Sequence, residues 1–129
     1  MEEYLSAMTD ILIANKGTLD KYIGDAVMGF FNAPIRIDRS EYFACKTALE
    51  QQERLVELNK IWSSEGIPLI MTRIGIDTGE AMVGNIGSKD RFNYTVIGDH
   101  VNLASRLEGV NKEYLTRICV SENTYLRTK

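Results

Sequence analysis

The sequence predicts an α+β domain in which helices pack on an antiparallel-rich sheet. Three observations predict this class. Apolar residues recur at helical spacing in one long and several shorter segments. Short runs rich in β-branched and aromatic residues alternate with those segments, and Gly or Pro stands at most of the joints. The chain of 129 residues is 44% hydrophobic and 26% charged, enough for one domain (residues 1–129) with a core of its own.

The elements follow in order. Tyr4, Leu5, Met8, Ile11, Leu12 and Ile13 carry a helix over residues 2–15, with Gly17 placed to stop it. Residues 18–32, TLDKYIGDAVMGFFN, read as two strands turning at Gly24-Asp25, and Pro34 closes the second. A long helix is expected from about Arg39 to Ser63, with Phe43, Ala44, Thr47, Ala48, Leu55, Leu58, Ile61 and Trp62 as its apolar stripe. Gly66 and Pro68 break it.

Leu69 to Thr78 reads as a strand with Ile70, Thr72, Ile74 and Ile76 on one face. Gly79-Glu80 is then a turn, and Ala81 to Ile86 the returning strand of a hairpin-like pair. A polar loop, 87–91, leads to a strand from Phe92 to Ile97. A helix from about Asp99 to Glu108 follows, with Asp99 as its expected N-cap. Residues 117–120 form a last strand, and Ser121 caps a final helical turn.

Composition narrows the function. With 15 basic and 18 acidic side chains the net charge is −3, which excludes a general nucleic-acid binder, since neutralising phosphates needs a basic surface. Cys45 and Cys119 match no metal-ligand spacing and read as reduced thiols in a cytoplasmic setting. No apolar run approaches the ~20 residues that span a bilayer, so no membrane contact is expected from this segment. Met-Glu-Glu-Tyr is unlike the start of a signal peptide.

Three stretches carry candidate chemistry. In KYIGD, Lys21 stands four residues before Asp25, a carboxylate at a hairpin tip. Asp25 suits the turn itself, and it equally suits magnesium as a hard oxygen ligand. In TVIGDHVNLASR, which begins at Thr95, Asn102 and Arg106 are four apart and share one helix face. That face is either plain solvent surface or an anion-recognition surface, for which a guanidinium is well shaped. The spacing alone leaves both open. RIGIDTGEAMVGNIG, residues 73–87, is rich in turn-forming glycine, but Gly84 to Lys89 fails the spacing of a phosphate loop, and no G-x-G-x-x-G occurs. His100 is the single histidine, with no serine or cysteine placed for a triad, and reads as a helix-start residue rather than a base.

Together LDKYIGDAVMGFFNAP, RIGIDTGEAMVGNIGSKDRFNYTVIGDHVNLASRLEG and ICVSENTY resemble the catalytic domain of class III adenylyl/guanylyl cyclases, especially bacterial ones. The resemblance implies a ferredoxin-like α+β fold and a head-to-tail homodimer whose sites lie between two chains. Asp25 falls on the second metal-binding aspartate, Lys21 on the lysine that reads adenine, and Thr95 on its partner position. Asn102 falls on the asparagine that orients the ribose, and Arg106 on the arginine facing the α-phosphate. Lys89 and Arg91 lie where a phosphate contact is sometimes supplied.

The activity so implied is an adenylate cyclase. The ribose 3′-oxygen of ATP attacks the α-phosphorus and expels pyrophosphate, yielding cyclic AMP for intracellular signalling. Two Mg²⁺ or Mn²⁺ ions per site would ease formation of the 3′-alkoxide, and Arg106 would meet the charge developing on the phosphoryl oxygens. Lysine donates to adenine N1, whereas guanylyl cyclases of the family typically carry an acidic residue there and often cysteine at the Thr95 position. The family's first metal-binding aspartate, on an opening strand before the hairpin, has no counterpart in this sequence. Strands that follow SENTY in the family are likewise absent. A domain truncated at both ends and inactive alone is therefore expected. The competing readings are an inactive regulatory or dimerisation module of the same family and a generic ferredoxin-like interaction domain.

Overall fold

In the computed structural model, residues 2–86 and 93–128 are described. Among them are four helices and six strands: α1 (Glu2–Ala14), β1 (Thr18–Ile23), β2 (Ala26–Phe30), α2 (Ser40–Ser64), β3 (Ile74–Ile76), β4 (Met82–Ile86), β5 (Asn93–Ile97), α3 (Asp99–Tyr114), β6 (Ile118–Val120) and α4 (Glu122–Thr128). The α+β class is as expected, and two of the three strand pairs are antiparallel: β1 with β2 and β4 with β5.

The core sits where α1 crosses α2. Tyr4, Met8, Leu55, Leu58 and Trp62 are buried against one another, with Val27 and Ile70 packed on them from β2 and from the strand-like segment after α2. The stripe expected on α2 is largely the buried one, although Ile61 is exposed. At the end of α1 the left-handed residue is Lys16, at φ 71°, rather than Gly17. Gly17 is required for a different reason: a Cβ there would run into the Leu12 side chain.

The expected hairpin of residues 69–86 does not form. β3 instead pairs in parallel with β6, Ile74 opposite Ile118 and Ile76 opposite Val120, while β4 turns to β5. The strand expected over 69–78 is also shorter as a ladder. Residues 69–74 still alternate, with Ile70, Thr72 and Ile74 half-buried and Leu69, Met71 and Arg73 exposed. Side chains of α2 serve that backbone in place of a neighbouring strand. Asn59 both accepts from the Ile70 amide and donates to the Ile70 carbonyl, and Gln52 donates to the Thr72 carbonyl at 2.9 Å.

Helix α3 runs six residues past the expected end at Glu108, to Tyr114. Its docking on β3 explains the extension. Asn111, fully buried, donates to the Ile74 carbonyl at 2.9 Å and accepts from Thr116 Oγ1 at 2.7 Å. Gly75 lies against the helix backbone, where a Cβ would strike the Ala104 carbonyl oxygen and the Glu108 nitrogen. Arg73 reaches Glu108 at 3.4 Å. Residues 100, 104, 107, 108 and 111 thus form one stripe facing β3, and the 100° step per residue puts positions 102 and 106 on the opposite side.

Candidate active site

The β1–β2 hairpin closes through a two-residue loop, Gly24-Asp25, between Ile23 and Ala26. Gly24 has φ +60°, the left-handed conformation that a tight hairpin turn with Gly first requires. This sets Asp25 at the exposed hairpin tip, as expected from KYIGD. Lys21 lies back along β1, opposite Met28, and its side chain is half exposed. The ladder slips between Leu19 and Lys21, leaving Asp20 as the extra residue of a bulge. Asp20 buries its carboxylate almost completely, and its Oδ1 stands 4.0 Å from the Lys21 Nζ.

Strand β1 lies beside β5 without a ladder between them, so the Lys21 and Thr95 strands are neighbours. Thr95 is opposite Gly84 in the β4–β5 register. Gly98, at φ 145°, then turns the chain into α3. Gly98 rather than Asp99 is the N-cap, and no side chain caps the helix; Asp99 stands in the first turn, where a carboxylate suits the helix dipole. Asn102 and Arg106 are both exposed on the side of α3 turned away from β3, so they share a face as the spacing predicted. Lys89 and Arg91 lie outside the described residues.

A cavity of about 1300 Å³ opens between β2 and β3, with Met8, Val27, Ile70 and Ile74 in its wall. Asp25 and Asn102 border it, whereas Lys21 and Arg106 are not in its wall. The structure thus sets Asp25 and Asn102 on one cavity wall, while Lys21 lies on β1 beside β5 and Arg106 on the exposed face of α3. Burial holds the Tyr4 phenol above its ordinary pKa, against a lowering hydrogen bond with Thr72, and the nearby Asp25 carboxylate adds to the rise.

The donor set for a metal is incomplete. Among the described residues no three His, Cys, Asp or Glu side chains converge, and Asp25 is the single candidate ligand at the hairpin tip. One carboxylate does not hold a pair of hard cations, which need several oxygen ligands. Cys45 and Cys119 are free, and burial, with Glu41 nearby, pushes the Cys45 thiol up. No helix among the described residues is long and apolar enough to cross a membrane.

Sequence reasoning missed one pairing. His100 Nδ1 lies 2.6 Å from Asp77 Oδ2, joining the first turn of α3 to the segment just after β3. No spacing rule announces a contact between residues 23 apart. The sole signal in the sequence is that the single histidine stands at the start of this helix.

Comparison with known proteins agrees with this layout. The family described as Adenylate and Guanylate cyclase catalytic domain matches residues 1–129. Adenylate cyclase 1 of Rhizobium meliloti (strain 1021) is 42% identical over 121 residues, covering 94% of this chain and 18% of the relative. The adenylate cyclase of Anabaena cylindrica is 36% identical over 127 residues, covering 95% of this chain and 24% of the relative. This chain thus spans less than a quarter of the length of these curated relatives. Among solved structures, the guanylyl cyclase Cya2 superposes with a TM-score of 0.88 at 34% identity, covering 98% of this chain and 63% of that one. The adenylyl cyclase CyaB from P. aeruginosa superposes with a TM-score of 0.85 at 33% identity, covering 98% of this chain and 65% of that one. A family match over residues 1–129, two relatives above 30% identity and a shared α+β fold place the chain in the class III adenylate and guanylate cyclase catalytic domain family.

Proposed function

We propose that the chain is the catalytic domain of an adenylate cyclase that converts ATP to 3′,5′-cyclic AMP and pyrophosphate. One observation carries this reading: Lys21 stands on a strand beside the Thr95 strand, next to a helix that presents Asn102 and Arg106 outward. An interaction domain has no need of these residue types in that arrangement. The two structures divide about equally between a guanylyl and an adenylyl cyclase, at 34% and 33% identity, whereas the relatives at 42% and 36% are adenylate cyclases and support ATP. Lys21 supports the same base, since an ammonium donates to adenine N1 and meets a donor on guanine.

The proposed roles follow from the groups. Lys21 and Thr95 bind the adenine. Asn102 orients the ribose so that its 3′-oxygen lines up with the α-phosphorus. Arg106 is a permanent forked cation for the α-phosphoryl oxygens as pyrophosphate leaves. Asp25 is one ligand for the Mg²⁺ or Mn²⁺ ions that cyclase domains generally use. A second carboxylate from outside the described residues has to join it, and we infer that residues 1–129 alone turn over little ATP.

Exposure of Lys21, Asp25, Asn102 and Arg106 supports a site completed by a second copy, because phosphoryl transfer needs water excluded. The homodimer proposed is head to tail, one chain giving Asp25 and the other Lys21, Thr95, Asn102 and Arg106. Met82 and Ile97, directly opposite in the β4–β5 ladder and both exposed, supply apolar surface for such an association. An ATP substrate and free thiols fit a cytoplasmic location.

A silent partner domain of the same family is the second reading, favoured by the lone carboxylate at Asp25. The test is nucleotide turnover by the full-length protein with Mg²⁺ or Mn²⁺, supplied with ATP or GTP. Cyclic AMP from ATP, with a shift toward GTP in a Lys21→Glu, Thr95→Cys variant, supports the enzyme. No cyclic nucleotide from either substrate supports the silent module.

A further inference from the structure

We propose that His100 and Asp77 form a latch that holds the N-terminal turn of α3, making His100 a positioning residue for Asn102 and Arg106. The inference rests on the site assignment just given. Helix α3 is anchored on β3 at its middle by Gly75 and near its C-terminal end by Asn111. At its N-terminal turn the close contacts run through His100. Gly98 gives no side-chain cap and, at φ 145°, leaves a permissive joint just before the helix. The contact from His100 to Asp77 fills that role. The imidazole Nδ1 and the Asp77 Oδ2 share a 2.6 Å hydrogen bond.

The other side of the latch is itself fixed. The Asp77 side chain is 2% exposed, against 42% for His100, so the carboxylate is the buried post and the imidazole the more exposed arm. Asp77 follows directly on β3, and Thr78 is tied to α4. Asn123 donates to the Thr78 carbonyl at 2.7 Å, and the Thr78 and Thr124 hydroxyls share a 2.7 Å hydrogen bond. Gly79 completes the seat. A Cβ there would run into Cγ, Cδ2 and Nε2 of the imidazole, so only glycine lets the ring lie in place. Asn102 stands two residues beyond His100, and a displacement of about 1 Å at such a group costs roughly a hundredfold in rate.

The experiment compares His100→Ala, His100→Asn, Gly79→Ala and Arg106→Ala in the full-length protein, with kcat and KM for ATP measured separately. Asparagine keeps an N–H near the position of Nδ1, and a methyl on Gly79 pushes the native ring off its seat. The latch predicts that His100→Ala and Gly79→Ala lower kcat about 10- to 100-fold with KM changed less than about threefold, and that His100→Asn recovers most of the loss. Amide exchange over residues 99–103, which needs no turnover, should quicken in His100→Ala and slow again in His100→Asn. Native kcat and native exchange in His100→Ala overturn the latch, and so does a His100→Asn variant as impaired as His100→Ala. Arg106→Ala separates the two layers. If it keeps native activity, the site assignment falls and the latch falls with it. If it is dead while His100→Ala is native, the latch alone falls.

Discussion

The side-chain amide of Asn111, near the end of α3, donates a 2.9 Å hydrogen bond to the carbonyl of Ile74, the first residue of β3. Asn111 is fully buried, and the same side chain accepts from Thr116 Oγ1, which follows the helix. One polar residue thereby joins helix, strand and the connection to β6. Replacing it with Leu keeps the volume but strips the Thr116 hydroxyl and the Ile74 carbonyl of this partner. Asn111→Leu should cost about 2–4 kcal/mol in a denaturant titration. A loss below about 0.5 kcal/mol would mean that water or a local shift replaces the amide.

The hairpin tip makes a second prediction. A Cβ on Gly24 would meet nothing within 4 Å, so the obstacle to a side chain is conformational and lies in φ +60°. Gly24→Ala should cost about 1–2 kcal/mol of stability. Its effect on turnover should be larger than its effect on folding, because Asp25 is the next residue and changes direction with the turn. Gly24→Asn, which tolerates the left-handed region, should be milder on both counts.

Alkaline pH should weaken the fold by a traceable route. Burial raises the Cys45 thiol above 9.0, with Glu41 adding, and raises the Tyr4 phenol above 10.0. In the unfolded chain both ionise at their ordinary values, whereas in the fold they keep their protons longer. Their contribution is thus complete below pH 9 and is lost as pH rises through the higher folded values. Denaturation midpoints measured between about pH 8 and pH 11 should fall. Tyr4→Phe should remove the upper part of that fall and Cys45→Ser the lower part. Unchanged profiles in both variants would assign the fall to other groups.

Much of this was legible in the sequence because it is local. The hairpin at Gly24-Asp25 follows from turn chemistry, and the stripe of α2 from helical spacing. The shared face of Asn102 and Arg106 needs only their four-residue separation. The Ser121 cap was legible too, its Oγ accepting from the Thr124 amide at 3.2 Å. What was not legible depends on partners far along the chain. Gly79-Glu80 looks like a hairpin turn, yet β3 goes to β6 because α3 is docked on it through Gly75 and Asn111. The helix expected to end near Glu108 continues to Tyr114, because Asn111 finds a carbonyl on β3. The burial of the Asp20 and Asp77 carboxylates was invisible for the same reason: burial and pairing of a charge are decided by tertiary neighbours.

A site shared between two copies takes Asp25 from one and Arg106 from the other. Complementation tests it most directly. The full-length protein carrying Asp25→Asn and the full-length protein carrying Arg106→Ala are assayed for cyclic AMP separately and after mixing under conditions that exchange subunits. Each variant alone should be nearly inactive, and an equal mixture should regain about one quarter of native activity, since half the dimers are mixed and each mixed dimer has one intact site. A mixture as inactive as its components, or native activity in either variant alone, would contradict it.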